Sequence, residues 1–242
     1  MECNHHLSNE QLNADDSPSL CINKVPILDV LSPSEKTEVM HGSISKQYKK
    51  GEVIFSPGHS SANLWIVHKG SVKISRYSSS GKEQITRILG PGDFTGELSL
   101  FSRTILHSTA EALEPTEICL IEGKVINDMM LRTPQIAISF LEKYTERIEM
   151  VEDQLEQLTL YDVEQRIANV LLEMIQDPKN NDIQNNHLTL PVSKKDLAVM
   201  IGTSQETLSR KLSFFQEQGW IKLIGQRQIT ILDQESLRHF SK

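Results

Sequence analysis

Residues 193 to 219, SKKDLAVMIGTSQETLSRKLSFFQEQG, constrain the chain more than any other stretch. They divide into two short amphipathic helices joined by a tight turn. Ser193, with Asp196 three residues on, predicts a capping box in which each residue satisfies a free backbone N–H at the other's end of the turn. Leu197, Val199, Met200 and Ile201 give that helix an apolar side, and Gly202 permits a sharp turn. Thr203 with Glu206 predicts a second capping box. Leu208, Leu212 and Phe215 then recur at helical spacing, and Gly219 supplies a left-handed C-terminal cap. Two capped helices about four residues apart are the sequence form of a helix-turn-helix, here over about 194–217.

In such a unit the second helix lies in the DNA major groove, and its first turns reach base edges. Ser204, Gln205, Glu206, Ser209, Arg210 and Lys211 occupy those turns. Arg210 can donate two hydrogen bonds to guanine O6 and N7, Glu206 can accept from cytosine N4, Gln205 suits adenine, and Ser209 is permissive. The same spacing also suits an ordinary helix pair, with Glu206 and Arg210 as a surface ion pair. The following residues favour DNA. Two β-rich runs, 220–224 and 228–232, flank Gly225-Gln226-Arg227 and predict a hairpin. A hairpin behind a recognition helix reads as a wing, with Lys222 and Arg227 placed to touch phosphate.

A net charge of −7 stands against a nucleic-acid partner at first sight, but the acidic excess lies before residue 163. Residues 163–242 hold ten Lys and Arg against nine Asp and Glu. Binding would then depend on dimerisation and base contacts more than on bulk charge. A chain of 242 residues has room for two domains with separate cores. No apolar run approaches the roughly 20 residues of a membrane helix. The opening MECNHHLSNEQLNADD is polar and acidic, unlike a secretory signal, so a cytoplasmic protein with no membrane partner is expected. No phosphate-binding loop, nucleophile elbow or metalloprotease helix occurs, and an enzyme is not expected.

Upstream, residues 1–21 are a polar arm carrying Cys3, His5, His6 and Cys21. Ser32-Pro33-Ser34-Glu35 supplies the start signals of a short helix. Over residues 46–122 the period falls to two. Short β runs at 52–55, 63–67, 71–77, 84–89, 108–112 and 117–121 are punctuated by glycines, which implies an antiparallel barrel or jelly roll. Over 132–161 the period changes again. Leu141, Ile148 and Leu155 are spaced seven apart, as are Tyr144, Val151 and Leu158. These are a and d positions of a short coiled coil, and the charge on the other faces favours a parallel homodimer. The other reading is a helix packed on its own barrel. Residues 163–175 give a further helix, and 177–187 a loop.

A barrel, a long helix and a winged helix-turn-helix in this order resemble the CRP/FNR family of bacterial transcription regulators, over about residues 22–240. Lys69-Gly70-Ser71-Val72, Gly90-Pro91-Gly92-Asp93-Phe94 and Gly96-Glu97-Leu98 are similar to the family's barrel turns. Residues 162–168, DVEQRIA, are similar to its hinge. Glu206, Ser209 and Arg210 match the Glu-x-x-Ser-Arg pattern of the FNR branch, whose TTGAT…ATCAA palindromes imply a TTGA-like half-site. The implied fold is α+β. The polar arm (1–21) precedes a cyclic-nucleotide-binding-like β-barrel of the double-stranded β-helix or jelly-roll kind (22–131). A dimerisation helix (132–161) and a winged helix-turn-helix (162–242) follow. The implied partners are a palindromic promoter site on double-stranded DNA, a second copy of the chain, and RNA polymerase.

The resemblance also bears on the signal. In the cyclic-AMP branch a Glu and, about ten residues on, an Arg-Ser pair hold the ribose and phosphate. Glu97 and Ser108 match, but His107 stands at the Arg position and lacks its bidentate clamp. Val151 and Glu152 replace the Thr-Ser pair that would meet adenine, so cyclic AMP is not expected. Glu97 would then cap a turn. Cys119 matches the internal cysteine of FNR proteins, with Cys3 and Cys21 in the matching arm. Two redox readings follow from the resemblance. One is a disulfide switch between Cys119 and Cys3 or Cys21, as in the FNR-like proteins of low-GC Gram-positive bacteria. The other is an iron–sulfur cluster or other metal held by Cys3, Cys21, Cys119 and a fourth ligand, His5 or His6. Alternatively Cys119 is a buried strand residue with no sensing role. Control by a small organic effector or haem in the barrel, and a nucleotide- or protein-binding module without DNA, complete the readings.

Overall fold

A short 3₁₀ turn, Pro26–Leu28, leads into helix α1, Pro33–His41. The start signals work as read. The Ser32 hydroxyl accepts from the Glu35 N–H, and the Glu35 carboxylate accepts from the Ser32 N–H at 2.8 Å. Hydrogen bonds from Ser32 and Thr133 hold the Glu35 carboxyl down at about 2. The computed structural model describes residues 25–58, 62–102, 105–176, 181–182 and 186–241.

The β-rich region forms strands β1 (Ser43–Tyr48), β2 (Val53–Phe55), β3 (Asn63–Lys69), β4 (Val72–Tyr77), β5 (Glu83–Leu89) and β6 (Phe94–Thr95). Helix α2 (Glu97–Ser102) and strands β7 (Thr109–Ala112) and β8 (Thr116–Glu122) follow. They make two four-stranded antiparallel sheets, ordered β1-β8-β3-β6 and β2-β7-β4-β5, as the jelly-roll reading requires. Between them lie Phe55, Trp65, Val67, Val72, Ile74 and Leu89. All six expected runs are strands. β1 begins earlier than the region over which β structure was expected, because Ser43, Ser45, Lys46 and Gln47 are polar; its place comes from pairing with β8.

Strand β3 is apolar almost throughout because the sheet that contains it is covered on both faces. Trp65 and Val67 point into the barrel. Leu64 and Ile66 point out and are covered by α3 (Gly123–Arg132) and α4 (Gln135–Leu160) through Ile126, Met129, Ile136 and Phe140. The long helix expected over 132–161 is the single helix α4; it starts at Gln135, because Thr133-Pro134 separates it from α3, where proline denies a continuing helix a donor.

Helix α5 (Val163–Gln176) opens the C-terminal part. Strands β9 (Asn181–Asp182) and β10 (His187–Thr189) follow, then α6 (Lys194–Ile201) and α7 (Gln205–Glu217). Strands β11 (Ile221–Ile224) and β12 (Gln228–Ile231) form the expected hairpin, and α8 (Gln234–Phe240) closes the chain. The expected loop at 177–187 is corrected in part. β9 and the first residue of β10 lie within it, and both join the hairpin in a sheet ordered β11-β12-β10-β9. A second core forms around Ile167, Leu171, Leu197, Leu208, Leu212 and Phe215. No helix among the described residues is long and apolar enough to cross a membrane.

Candidate nucleic-acid interface and sensor cavity

The turn between α6 and α7 is set by Gly202, at φ 78°, a left-handed conformation that costs a residue with a Cβ. Its N–H reaches back to Ala198 and Val199, and the Thr203 N–H donates to the Ala198 carbonyl at 2.9 Å. The Thr203 N–H is drawn into the end of α6 and so cannot take the return bond from Glu206, and α7's first backbone bond runs from the Leu208 N–H to the Ser204 carbonyl. The capping box expected at Thr203 and Glu206 is therefore corrected: Ser204 is the N-cap, accepting from the Thr207 N–H at 3.0 Å. At α6 Ser193 accepts from the Asp196 N–H at 3.1 Å.

Shifting the cap by one residue frees Glu206. Gln205, Glu206, Ser209 and Arg210 are all exposed on the first turns of α7, while Leu208, Leu212 and Phe215 are buried beneath them. Glu206 and Arg210 stand 3.9 Å apart with side chains 80% and 69% exposed, a loose pair that leaves both heads in solvent. Ser204 is exposed, but the cap takes its hydroxyl. The unpaired N–H groups at the start of α7 add a positive end suited to phosphate. Lys222 on β11 and Arg227 in the hairpin turn are exposed as well. Lys211 is a correction. Its ammonium is bonded to the Glu164 carboxylate of α5, so in the free protein it braces the two helices and is not free in solvent as Arg210 is.

Five of the six seam residues of α4 are open. Leu141, Ile148, Val151, Leu155 and Leu158 are 65%, 57%, 57%, 62% and 52% exposed. Leaving such side chains in water forfeits roughly 1.5–3 kcal/mol each relative to full burial. Tyr144 is the exception and a second correction. Its ring is half-buried and meets Phe101 of α2 at 6.4 Å, so it belongs to the chain's own core. Burial, then the nearby Glu97 carboxylate, push its phenol up to about 12.

Glu97 is the third correction. Gly96 holds φ 94°, and a Cβ there would strike the Asn63 carbonyl and the Trp65 ring, so glycine is required for α2 to start where it does. This places Glu97, only 3% exposed, in a cavity beneath α4. It caps no turn. Its Oε1 accepts from Arg87 of β5 at 3.4 Å and from Arg147 of α4, while its Oε2 is buried with no partner among the described residues. Burial and the neighbouring Arg147 depress the Arg87 pKa, and Arg87 also donates to the Phe94 carbonyl at 3.0 Å. His107 and Ser108 line the same cavity. Arg87 and Arg147, two of the three arginines that line the cavity, are thus paired with Glu97; Arg76 is the third, and His107 supplies no guanidinium. Neither Arg87 nor Arg147 was singled out in the sequence. Arg87 lies in an alternating strand and Arg147 in a charged helix, where each passes for a solvent-facing residue.

Cys119 lies mid-strand on β8, between Ser45 and Ile66, 1% exposed and facing α3 and α4. Cys3, His6 and Cys21 fall outside the described residues. No cluster of metal-ligating side chains occurs among the described residues.

Residues 45–133 match the cyclic nucleotide-binding domain family, and residues 165–240 the Crp-like helix-turn-helix domain family. The chain is 28% identical over 190 residues to a CRP-like cAMP-activated global transcriptional regulator of Mycobacterium tuberculosis, covering 78% of this chain and 84% of that protein. It is 27% identical over 221 residues to a probable transcriptional regulator, flp, of Lacticaseibacillus casei, covering 91% and 98%. The fold is similar to that of CooA from Carboxydothermus hydrogenoformans, with a TM-score of 0.78 at 20% identity over 93% of this chain and 99% of that one.

Proposed function

The chain belongs to the CRP/FNR family of DNA-binding transcription regulators, and from that membership we propose that it works as a homodimer on a palindromic promoter site with TTGA-like half-sites. It is a regulator and not an enzyme. The observation that carries the reading is the polar first turn of α7, where Gln205, Glu206, Ser209 and Arg210 stand free in solvent on a helix whose other side is buried. Ser204 contributes its backbone end of the helix, and Lys222 and Arg227 contact phosphate. The apolar seam from Leu141 to Leu158 pairs two copies, which sets two α7 helices one DNA turn apart. The domain limits proposed are those of the sequence reading.

The test is a fluorescence-anisotropy titration with a TTGAT…ATCAA duplex and a scrambled duplex, over a salt series. Tight binding to the first alone supports the reading; equal affinity for both removes it. RNA polymerase as a partner is checked by transcription in vitro from a promoter that carries the site.

A redox input through Cys119 is favoured by one feature of the core. Val25, Ile27, Leu28 and Leu31 pack in the same cluster as Cys119. Cys21 precedes Val25 by four residues, a span of at most roughly 14 Å when extended. Of the two arm cysteines, Cys21 therefore has the shorter reach. With Cys119 1% exposed, oxidation requires the covering segment to lift first. A response to diamide that survives Cys119→Ser sinks this reading; so does one that needs Cys3 and His6 but not Cys21. A brown protein whose colour and DNA binding vanish together in air would favour the cluster instead. A small organic effector or haem would leave the response intact in the triple Cys→Ser variant.

A further inference from the structure

The helix-turn-helix leans on its own barrel. Helix α6 packs against β5, and Ile88 and Leu113 of the barrel join the C-terminal core. The Gln84 side-chain amide donates to the Met200 carbonyl at 3.4 Å. At the centre lies Lys73 of β4, its side chain 8% exposed. Its Nζ is 3.0 Å from Glu83, 3.5 Å from Glu111 and 3.8 Å from Asp196. Burial pulls the Lys73 pKa down, but the three carboxylates outweigh it and hold it above the ordinary lysine value. Glu83 and Glu111 belong to the barrel and compensate the buried charge whether or not the domains touch. Asp196 comes from α6, at the longest distance. The join beside it is loosely packed, with a cavity of about 370 Å³ bordered by Lys50, Glu114, Pro191 and Arg227. Across a loosely packed join of this kind the polar contacts fix the relative pose, and domain motion is what happens without them.

We propose that Lys73 and Asp196 are positioning residues for DNA recognition: their ion pair keys α6 into the barrel and so fixes the pose in which α7 is offered to DNA. The docked pose leaves Gln205, Glu206, Ser209 and Arg210 exposed, so docking positions the recognition helix and does not cover it. The inference rests on the proposed reading of α7 as the recognition helix of a homodimer. Two docked helices select one half-site spacing. Two loosely hinged ones must be ordered on each palindrome but lose nothing on a single half-site.

The decisive variant is Asp196→Asn in the full-length protein. It keeps the backbone N–H that Ser193 caps and an amide oxygen to accept from the Ser193 hydroxyl, as the carboxylate does at 2.5 Å, and leaves Lys73 with Glu83 and Glu111. Affinities are read for the palindrome, for the same half-sites pushed half a turn further apart, and for a single half-site. Palindrome affinity, and its preference over the lengthened site, should each fall about three- to tenfold, with half-site affinity unchanged. Lys73→Met should give the same loss, and combining the two should add nothing further. Hydrogen exchange of the DNA-free protein should quicken in α6 and β5 of Asp196→Asn and nowhere else. An Asp196→Asn protein that keeps its spacing preference and its exchange pattern overturns the inference. An equal loss on the half-site also overturns it, since that marks damage to the helix pair itself. A wild-type protein that binds none of the three duplexes overturns the DNA reading, and the inference with it.

Discussion

Arg210→Ala separates base reading from structure more cleanly than any other change in α7. In the free protein the guanidinium has one partner, Glu206, at 3.9 Å, with both side chains more than two-thirds exposed. Such a pair is worth about 0.3–0.5 kcal/mol, so the variant should unfold within that margin of the wild type. On DNA the same side chain is expected to make two hydrogen bonds to a guanine. Losing them should cost roughly 1–3 kcal/mol at the specific site, about five- to 150-fold in affinity. Most of the loss should be discrimination, not grip. The assay is competitive anisotropy against duplexes with the half-site guanine replaced by adenine. Wild type should prefer guanine by the factor above, and Arg210→Ala should bind both nearly alike. Lys222→Ala and Arg227→Ala should instead weaken every duplex together and flatten the salt slope by about one unit each. A variant that is weaker everywhere, with its guanine preference intact, would make Arg210 a phosphate contact and refute the placement of α7 in the groove.

Ile148→Arg should convert the dimer to a monomer with little change in subunit stability, because its side chain is already 57% exposed. Sedimentation velocity decides, and a persisting dimer would place the interface elsewhere. Phe215→Ala should destabilise the DNA-binding domain by about 3–5 kcal/mol. Its ring is fully buried and meets Trp220 at 5.5 Å and Phe240 at 5.7 Å. Denaturant melts should show a lower midpoint for this domain with the barrel transition unmoved; a loss near that of a surface change would contradict the core assignment. Tyr144 should titrate near pH 12, where a free phenol titrates at about 10. Its folded value is raised, so its contribution to stability is full below the unfolded pKa and is lost as pH climbs through the folded one. Ultraviolet titration should show a latest phenolate step that Tyr144→Phe removes.

The parts of this molecule legible in its sequence are those where one local rule decides. Period-two runs over 52–121 became strands because each buries at least one face. Ser32 and Glu35 began a helix because their hydrogen bonds close within one turn. Gly202 marked the turn because few other residues tolerate φ near 78°. The misread positions are those where a contact from far along the chain took over. Lys211 answers to Glu164, forty-seven residues away, and Glu97 to Arg147, fifty residues away. Tyr144 keeps the heptad register of a seam residue, but α2 comes up beneath it and Phe101 claims the ring. Thr203 has the right side chain for a cap, but its backbone still belongs to the end of α6, and the first carbonyl to accept within α7 is that of Ser204.

Two of these long-range contacts, Glu97 with Arg147 and Phe101 with Tyr144, converge on one element. Helix α4 carries Arg147, which closes the cavity over Glu97, and within two turns it carries Ile148, Val151 and Leu155 of the open seam. Residues 147 and 148 are neighbours on the backbone but face about 100° apart on a helix, so one can point to the barrel while the other points to a partner. A ligand or charge that draws Arg147 away from Glu97 therefore acts on the same turns that carry the open seam residues. At its far end Gln157 of α4 donates to Glu173 of α5 at 2.9 Å, and Arg166 of α5 donates to the Ile201 carbonyl at 3.1 Å, beside the turn of the helix-turn-helix. A change of state in the barrel therefore has a continuous packed route to α7, and its two ends can be tested separately. Arg147→Met should alter the response to any signal while leaving the free protein dimeric. A dimer whose DNA affinity is unchanged by Arg147→Met in every signalling state would show that the route does not run through this helix.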